Sequence, residues 1–326
     1  MKAEPFLLTP AGKDYLWGGS RLKWDFAKDI PLDPLAETWE CSTHPAGEST
    51  AASGPFRGQT LTKILEDHPE YLGTHPEKGK GLPVLVKLID ADRDLSVQVH
   101  PDDGYALQKE GGQRGKTEMW YVLDAAKGAS LVYGLSRTAD RETIRAAAQN
   151  GSLMKYLQRV PVRPDDVFYV EPGTIHALGA GILVAEIQQS SNLTYRLYDY
   201  DRVDKNGQKR PLHLEKALDV ADFHAAPEPR QPLRVLRYGR GVAKELLCRC
   251  RYFEVYRMIV NTERRQRVTY RADAESFRAL LCVRGCGTVR FGESTLDLCR
   301  GDCLFLPADS QEMTLHGQMT FLDIRG

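Results

Sequence analysis

Asp166-Val167-Phe168-Tyr169-Val170-Glu171-Pro172-Gly173-Thr174-Ile175-His176 is the stretch on which the fold reading turns. It runs as a β-branched and aromatic strand, then a Pro-Gly turn, then a histidine. Upstream, Gln98-Val99-His100-Pro101 ends an alternating strand. Side chains in a strand alternate with a period of two, so Gln98 and His100 project to one face while Val99 faces away. Between these segments, Glu118 opens the strand Glu118-Met119-Trp120-Tyr121-Val122-Leu123. Two imidazoles, one carboxylate and one amide oxygen gathered in one cavity suit a divalent transition metal, with positions left for water or substrate. Any one of these residues alone means little; the set carries the reading.

The same texture extends outward. Val84–Asp90, Ser96–His100, Glu118–Asp124, Ala129–Leu135, Asp166–Pro172, Ile182–Gln188 and Leu193–Tyr200 read as short strands punctuated by Gly, Pro and Asp. Tyr252–Asn261, Ser276–Arg284, Thr288–Phe291 and Cys303–Pro307 repeat the pattern near the C-terminus. Many short strands without βα alternation predict a mainly β chain of sandwiches or jelly rolls. Helices are expected at Leu61–Asp67 after a Thr60 cap, at Arg141–Gln149 before Asn150-Gly151, at Ser152–Arg159 before Pro161, and at Leu214–Ala221. Asp102-Asp103 is expected to cap a further short helix, Gly104–Glu110. The adjacent pair makes a helical insertion at about 138–160 in the first domain. The proline-rich segment His224–Pro232 is the expected linker between domains 1–225 and 226–326.

The chain has 326 residues, and its 44 Lys+Arg balance 44 Asp+Glu. Zero net charge argues against a nucleic-acid binder, and no apolar run approaches the roughly 18 residues of a membrane span. Met1-Lys2-Ala3-Glu4-Pro5-Phe6 lacks the apolar stretch of a secretion signal, and an odd count of seven cysteines fits reduced thiols, so a cytoplasmic location is expected. Cys282/Cys286 and Cys299/Cys303 lack zinc-knuckle spacing and lie in apolar strand-like segments. They read as small hydrophobes.

Together, the Q-x-H pair, the downstream Glu118 and the G-x-x-H turn resemble the two-part cupin pattern, which implies two cupin-type jelly rolls. A C-terminal echo, Gly301-Asp302-Cys303-Leu304-Phe305-Leu306-Pro307-Ala308-Asp309-Ser310-Gln311, carries Gln311 where the first copy has His176. The second domain therefore reads as a cupin without metal ligands. More specifically, the chain resembles the class I mannose-6-phosphate isomerases of the short bacterial type. The matching segments are Leu16-Trp17-Gly18-Gly19-Ser20-Arg21-Leu22, Glu37-Thr38-Trp39-Glu40-Cys41-Ser42-Thr43-His44-Pro45, Leu85-Val86-Lys87, Leu95-Ser96-Val97-Gln98-Val99-His100-Pro101-Asp102-Asp103, Gly115-Lys116-Thr117-Glu118-Met119-Trp120-Tyr121, Pro172-Gly173-Thr174-Ile175-His176-Ala177-Leu178 and Thr194-Tyr195-Arg196-Leu197-Tyr198-Asp199. The resemblance implies His100, Glu118 and His176 as ligands of one Zn2+ per chain, with Gln98 as a fourth ligand. It implies Arg196 as the catalytic-site arginine, and Lys87 and Ser96 as phosphate contacts. The larger members' lysine after the arginine is missing here, which leaves Arg202 or a different set for the phosphate.

The implied reaction interconverts mannose 6-phosphate and fructose 6-phosphate through an enediolate. It needs a base beside C1 and C2, a partner for the developing oxyanion, and cations for the phosphate. Arg196 stays protonated and suits the second or third need. Glu186, Lys116 and the histidines near the metal are candidates for the first. Trp17, Trp39 and Trp120 are core residues or walls of the sugar pocket. Two alternatives remain open: an Fe(II) cupin oxygenase, and a metal-containing sugar-phosphate binder without turnover. The expected partner is a small sugar phosphate, with the chain as monomer or homodimer.

Overall fold

A computed structural model describes residues 2–77, 79–203, 207–230, 234–263 and 266–326. Three sheets dominate, so the chain is mainly β, with cupin-type jelly rolls. The front sandwich has a six-stranded sheet in the order Val167–Val170, Glu118–Ala125, Ile182–Gln189, Val84–Ala91, Glu37–Cys41, Ala11–Lys13. Facing it is a five-stranded sheet in the order Tyr195–Tyr198, Val97–Val99, His176–Ala177, Ser130–Leu135, Leu157–Pro161.

Alternation decides what each strand buries. Trp120 and Val122 pack with Ile182, Val184, Leu131 and Tyr133 between the two front sheets. Their neighbours Met119 and Tyr121 turn the other way and join Val86, Leu88, Leu183 and Ala185 against Leu322 and Ile324 of the C-terminal sheet. On the far side, Val97, Val99 and Ala177 lie under Ile144, Ala147, Ala217 and Leu218 of two helices. The molecule is thus layered as helices, sheet, polar cleft, sheet and C-terminal sheet, with both front sheets buried on two faces.

Local chemistry accounts for the elements. Thr60, Asp102 and Asp140 each accept a hydrogen bond from a backbone N–H in the first turn of the helices Leu61–Asp67, Asp103–Lys109 and Arg141–Gln149. Asp103 departs from the capping role expected of it. Its carboxylate accepts from Gly115 N, Gln189 Nε2 and the Tyr252 hydroxyl, tying the loop before Lys116 to the C-terminal domain. In the turn leading to His176, Gly173 has φ +87°, and a Cβ there would stand 2.9 Å from the Val220 carbonyl oxygen, so the turn needs glycine.

The insertion is helical only in its first half. After Arg141–Gln149 comes a single 3-10 turn, Leu153–Lys155, and then a strand, Leu157–Pro161. The expected helix Ser152–Arg159 is therefore wrong. Leu157 and Val160 are buried while Arg159 is exposed, and residues 157–161 pair with Ser130–Leu135, because Pro161 sits comfortably at a strand end.

The C-terminal sheet contains all strands from Leu236–Gly239 onward. Phe6–Thr9 also joins it, with Phe6 opposite Phe305, and Thr50–Ala51 extends the edge. Residues placed with the first domain by their position in the chain thus complete the second sheet. Part of the expected linker, at 231–232, lies outside the described residues. Cys286 differs from its reading as a small buried hydrophobe: it is exposed.

Candidate active site

Two rows of side chains face each other across the front cleft. On the five-stranded sheet, Tyr133, His176, Gln98 and Arg196 are successive cross-strand partners. On the six-stranded sheet the row is Trp120, Glu186, Lys87 and Trp39. Each row places its residues at the same height on neighbouring strands, which is why positions so distant in sequence meet.

At one end, His100, Glu118 and His176 converge, with ligand atoms all within 4.8 Å of one another. His100 Nε2 is 3.4 Å from Glu118 Oε2, and His176 Nε2 is 3.3 Å from Glu118 Oε1. His176 Nδ1 lies 2.8 Å from the Thr174 carbonyl oxygen. A proton on Nδ1 satisfies that oxygen and leaves the Nε2 lone pair toward the cluster. Gln98 Nε2 stands 3.5 Å from His176 Nε2, so its amide reaches the same point. All three cluster residues are buried. Among the described residues, the Glu118 oxygens meet the two imidazoles and the Lys116 ammonium.

Burial, then the nearby Lys116 ammonium, pushes His100 down to about 3, so it is neutral near pH 7. Burial also lowers His176. For Glu118, burial alone would raise the carboxyl; Lys116 and the two imidazoles outweigh it and hold the group well below its usual range. Two neutral imidazoles whose Nε2 atoms face the two oxygens of one buried carboxylate are a donor set that fits a divalent cation such as zinc or iron.

Beside the cluster, Lys116 Nζ is 2.8 Å from Glu118 Oε2, 3.1 Å from His100 Nε2 and 3.9 Å from Glu186 Oε1. Glu186 Oε2 accepts from Trp120 Nε1 at 2.9 Å, while its Oε1 meets Lys87 Nζ at 3.1 Å. Lys87 also faces Glu37 Oε2 at 3.6 Å, and Glu37 accepts from Trp39 Nε1 at 2.8 Å. Burial would lower Lys87, but Glu37 and then Glu186 outweigh it and raise the ammonium above its ordinary range. Trp39 and Trp120 are thus buried walls whose indole N–H groups aim carboxylates.

Of the expected residues, His100, Glu118, His176, Gln98, Lys116, Glu186 and Lys87 come together, and Arg196 lies on the same row as Gln98. Ser96 is buried two residues before Gln98 on the alternating strand. Arg202 is already engaged: its guanidinium binds the Asp199 carboxylate at 2.5 Å and the Asp94 carbonyl. Burial, then neighbouring Arg210, lowers Arg196, whose Nε has no hydrogen-bond partner among the described residues.

Sequence reasoning assigned no role to Glu37, Tyr15, His44 or Arg210. Burial and then Glu37 raise the Tyr15 phenol, while Lys87, Arg196 and Arg210 act against the rise. His44 is lowered by burial and then by Lys87 and Lys13, beside the Trp39 ring. Glu37 and His44 stand in a matching segment, so their motif was the available signal. Arg210 had none, because it returns through a loop closed by the His213 N–H donating to the Arg196 carbonyl at 2.8 Å.

Comparisons with known proteins agree with this geometry. Residues 6–128 match the model of the phosphomannose isomerase type I catalytic domain, and residues 243–325 match that of the mannose-6-phosphate isomerase cupin domain. The chain is 37% identical to mannose-6-phosphate isomerase ManA of Bacillus subtilis, over 97% of each chain. It is 35% identical to the mannose-6-phosphate isomerase of Streptococcus mutans, over 98% of each. The crystal structure of the mannose 6-phosphate isomerase from Bacillus subtilis superposes with a TM-score of 0.90 at 36% identity, covering 99% of both chains.

Proposed function

The chain belongs to the type I mannose-6-phosphate isomerase family, and on that premise we propose that it interconverts mannose 6-phosphate and fructose 6-phosphate in the front cleft, with one Zn2+ held by His100, Glu118, His176 and Gln98. One observation carries the reading: three buried donors converge beside Lys116 and Glu186, in a chain related to isomerases over its whole length. The catalytic unit is residues 1–225, and 226–326 form a cupin-like domain that supports it.

The reaction takes a proton from C2 and returns one at C1 through an enediolate. A bound divalent cation supplies Lewis acidity toward the sugar oxygens. Glu186 Oε1 makes only ion-pair contacts, with Lys87 at 3.1 Å and Lys116 at 3.9 Å, and is the oxygen we assign to receive the C2 proton. Trp120 holds the opposite oxygen, so the carboxylate keeps one orientation through the transfer. Lys116, between Glu118 and Glu186, lies where it can pass a proton to a sugar oxygen. The Arg196 guanidinium faces the developing oxyanion as a fixed positive charge.

The phosphate assignment shifts away from Lys87, whose charge is already matched by two carboxylates, and from Arg202, which is tied to Asp199. Arg210 binds the same Asp199 carboxylate at 2.6 Å, so its charge is matched in the same way. That leaves Arg196 as the guanidinium to take the phosphate dianion. Ser96 then serves as a polar neighbour of the metal end.

A coupled assay of fructose 6-phosphate formed from mannose 6-phosphate tests this function. Activity should vanish on chelation and return with Zn2+. Full turnover by metal-free protein would refute the metal role, and no turnover by zinc-loaded protein would refute the isomerase reading.

A further inference from the structure

Six of the seven cysteines lie in the C-terminal third, and the front-cleft chemistry uses none of them. Cys41, Cys282 and Cys303 are buried, and burial raises each thiol. Cys248 and Cys250 are raised by burial as well. Cys286 stands apart as the one exposed cysteine.

Its strand position gives it a partner. In the hairpin formed by the second half of Arg278–Phe291 with Ser294–Cys299, Cys286 is directly opposite Cys299. The Arg300 N–H donates to the Gly285 carbonyl at 2.9 Å. By alternation, the next pair, Cys286 and Cys299, is a non-hydrogen-bonded one, where facing Cα atoms are about 4.5 Å apart. That spacing lies inside the roughly 4.4–6.8 Å that a disulfide spans. Val289, Phe291 and Leu298 fill the inner face of this hairpin, so the two thiols share its outer face with exposed Arg290, Thr295 and Asp297. The strand is irregular between Cys282 and Arg284, and such bulges increase the local twist that helps opposed side chains meet. Gly285 (φ +75°) carries the bend, since a Cβ there would strike the Gln318 carbonyl at 2.1 Å.

We propose that Cys286 and Cys299 form a reversible dithiol/disulfide site on the outer face of the C-terminal hairpin, oxidised by low-molecular-weight disulfides of the glutathione class. Cys286, as its thiolate, attacks one sulfur of the small disulfide. That S–S bond breaks, and the first small thiol leaves with its electron pair and takes up a proton. Cys299 then loses its proton and attacks the Cys286 sulfur of the mixed disulfide. The second small thiol is released, and a Cys286–Cys299 bond remains. Two protein thiols are oxidised by two electrons while one small disulfide is reduced to two thiols. Cys299 is pushed up to about 12 by its contact with Cys286 and then by burial, which fits the resolving role better than the attacking one.

Intact-mass and peptide mapping after incubation of the full chain with glutathione disulfide test the site. The wild type should lose the mass of two hydrogens, yield one peptide linking Cys286 to Cys299, and revert with dithiothreitol. Cys299→Ser should stop at a glutathione adduct on Cys286, whereas Cys286→Ser should form neither adduct nor bridge at this pair. A stable glutathione adduct in the wild type, or a bridge from Cys286 to another cysteine, would overturn the proposal. Circular dichroism of the two variants checks that they remain folded.

Discussion

The front sandwich and the C-terminal sheet share a strand-and-turn element, yet their interiors are filled in different proportions of polar and apolar groups. In the front, the turn after Val170 delivers His176 into a cleft that also holds Gln98, Glu118, Lys116, Glu186 and Lys87. In the back, the element ending at Gln311 encloses Met258, Leu280, Leu304, Leu306, Leu315 and Phe321. The contrast shows what a buried polar interior requires. Lys87 is tolerated because Glu37 and Glu186 flank it, and Glu186 because Trp120 and two lysines surround it. A buried charge without such partners is too costly to keep, and the back barrel obeys the same rule: amid its hydrocarbon, buried Asp323 is matched by the Tyr270 hydroxyl, Lys244 and Arg278.

Breaking the front network should have the largest effect. Glu118→Gln removes the only carboxylate of the cluster, and both metal content and isomerase activity should fall to background, measured by elemental analysis and the coupled assay. Next comes Arg196→Ala, which should lower kcat by about 10²–10³-fold with metal content unchanged. Metal loss in that variant would move Arg196 from oxyanion partner to structural support.

A smaller effect is expected where the two regions join. The Tyr252 hydroxyl donates to Asp103 at 2.7 Å, and Asp103 also holds the Gly115 N–H. Tyr252→Phe should cost about 1 kcal/mol in denaturant unfolding. Burial would raise Asp103, but these hydrogen bonds and Gln189 outweigh it and lower the carboxyl. Its contribution is therefore present above the ordinary carboxylate range and is lost as pH falls through the depressed value. Asp103→Asn should flatten the acid limb of the stability profile. The smallest effect sharpens the comparison from the other side. Gln311→His restores the missing histidine of the second barrel, yet metal stoichiometry should stay at that of the wild type, because among the described residues the one carboxylate–imidazole set is that of the front cleft.

Much of the site was legible because strand alternation is local. Gln98 and His100 two apart, Glu118 at a strand start and His176 after a Pro-Gly turn fix their faces by sequence alone. What stayed hidden depends on chain return. Arg210 reaches Asp199 through a loop, and Phe6–Thr9 pairs with residues some 300 positions away. Asp103 looked like a second helix cap, but its partners come from residues 115, 189 and 252. Ser152–Arg159 was misread because one 3-10 turn precedes a strand too short to display its alternation. Cys286 and Cys299 were each weighed with a cysteine four residues away along the chain, whereas cross-strand register sets them opposite one another.

The central claim is that a front-cleft metal sits on imidazole and oxygen donors. X-ray absorption at the zinc edge, on zinc-loaded wild type and on Glu118→Gln, reads this directly. One zinc per chain in a nitrogen and oxygen environment with imidazole scattering is expected, absent from the variant. Sulfur around the zinc, or a spectrum that Glu118→Gln leaves unchanged, would contradict it.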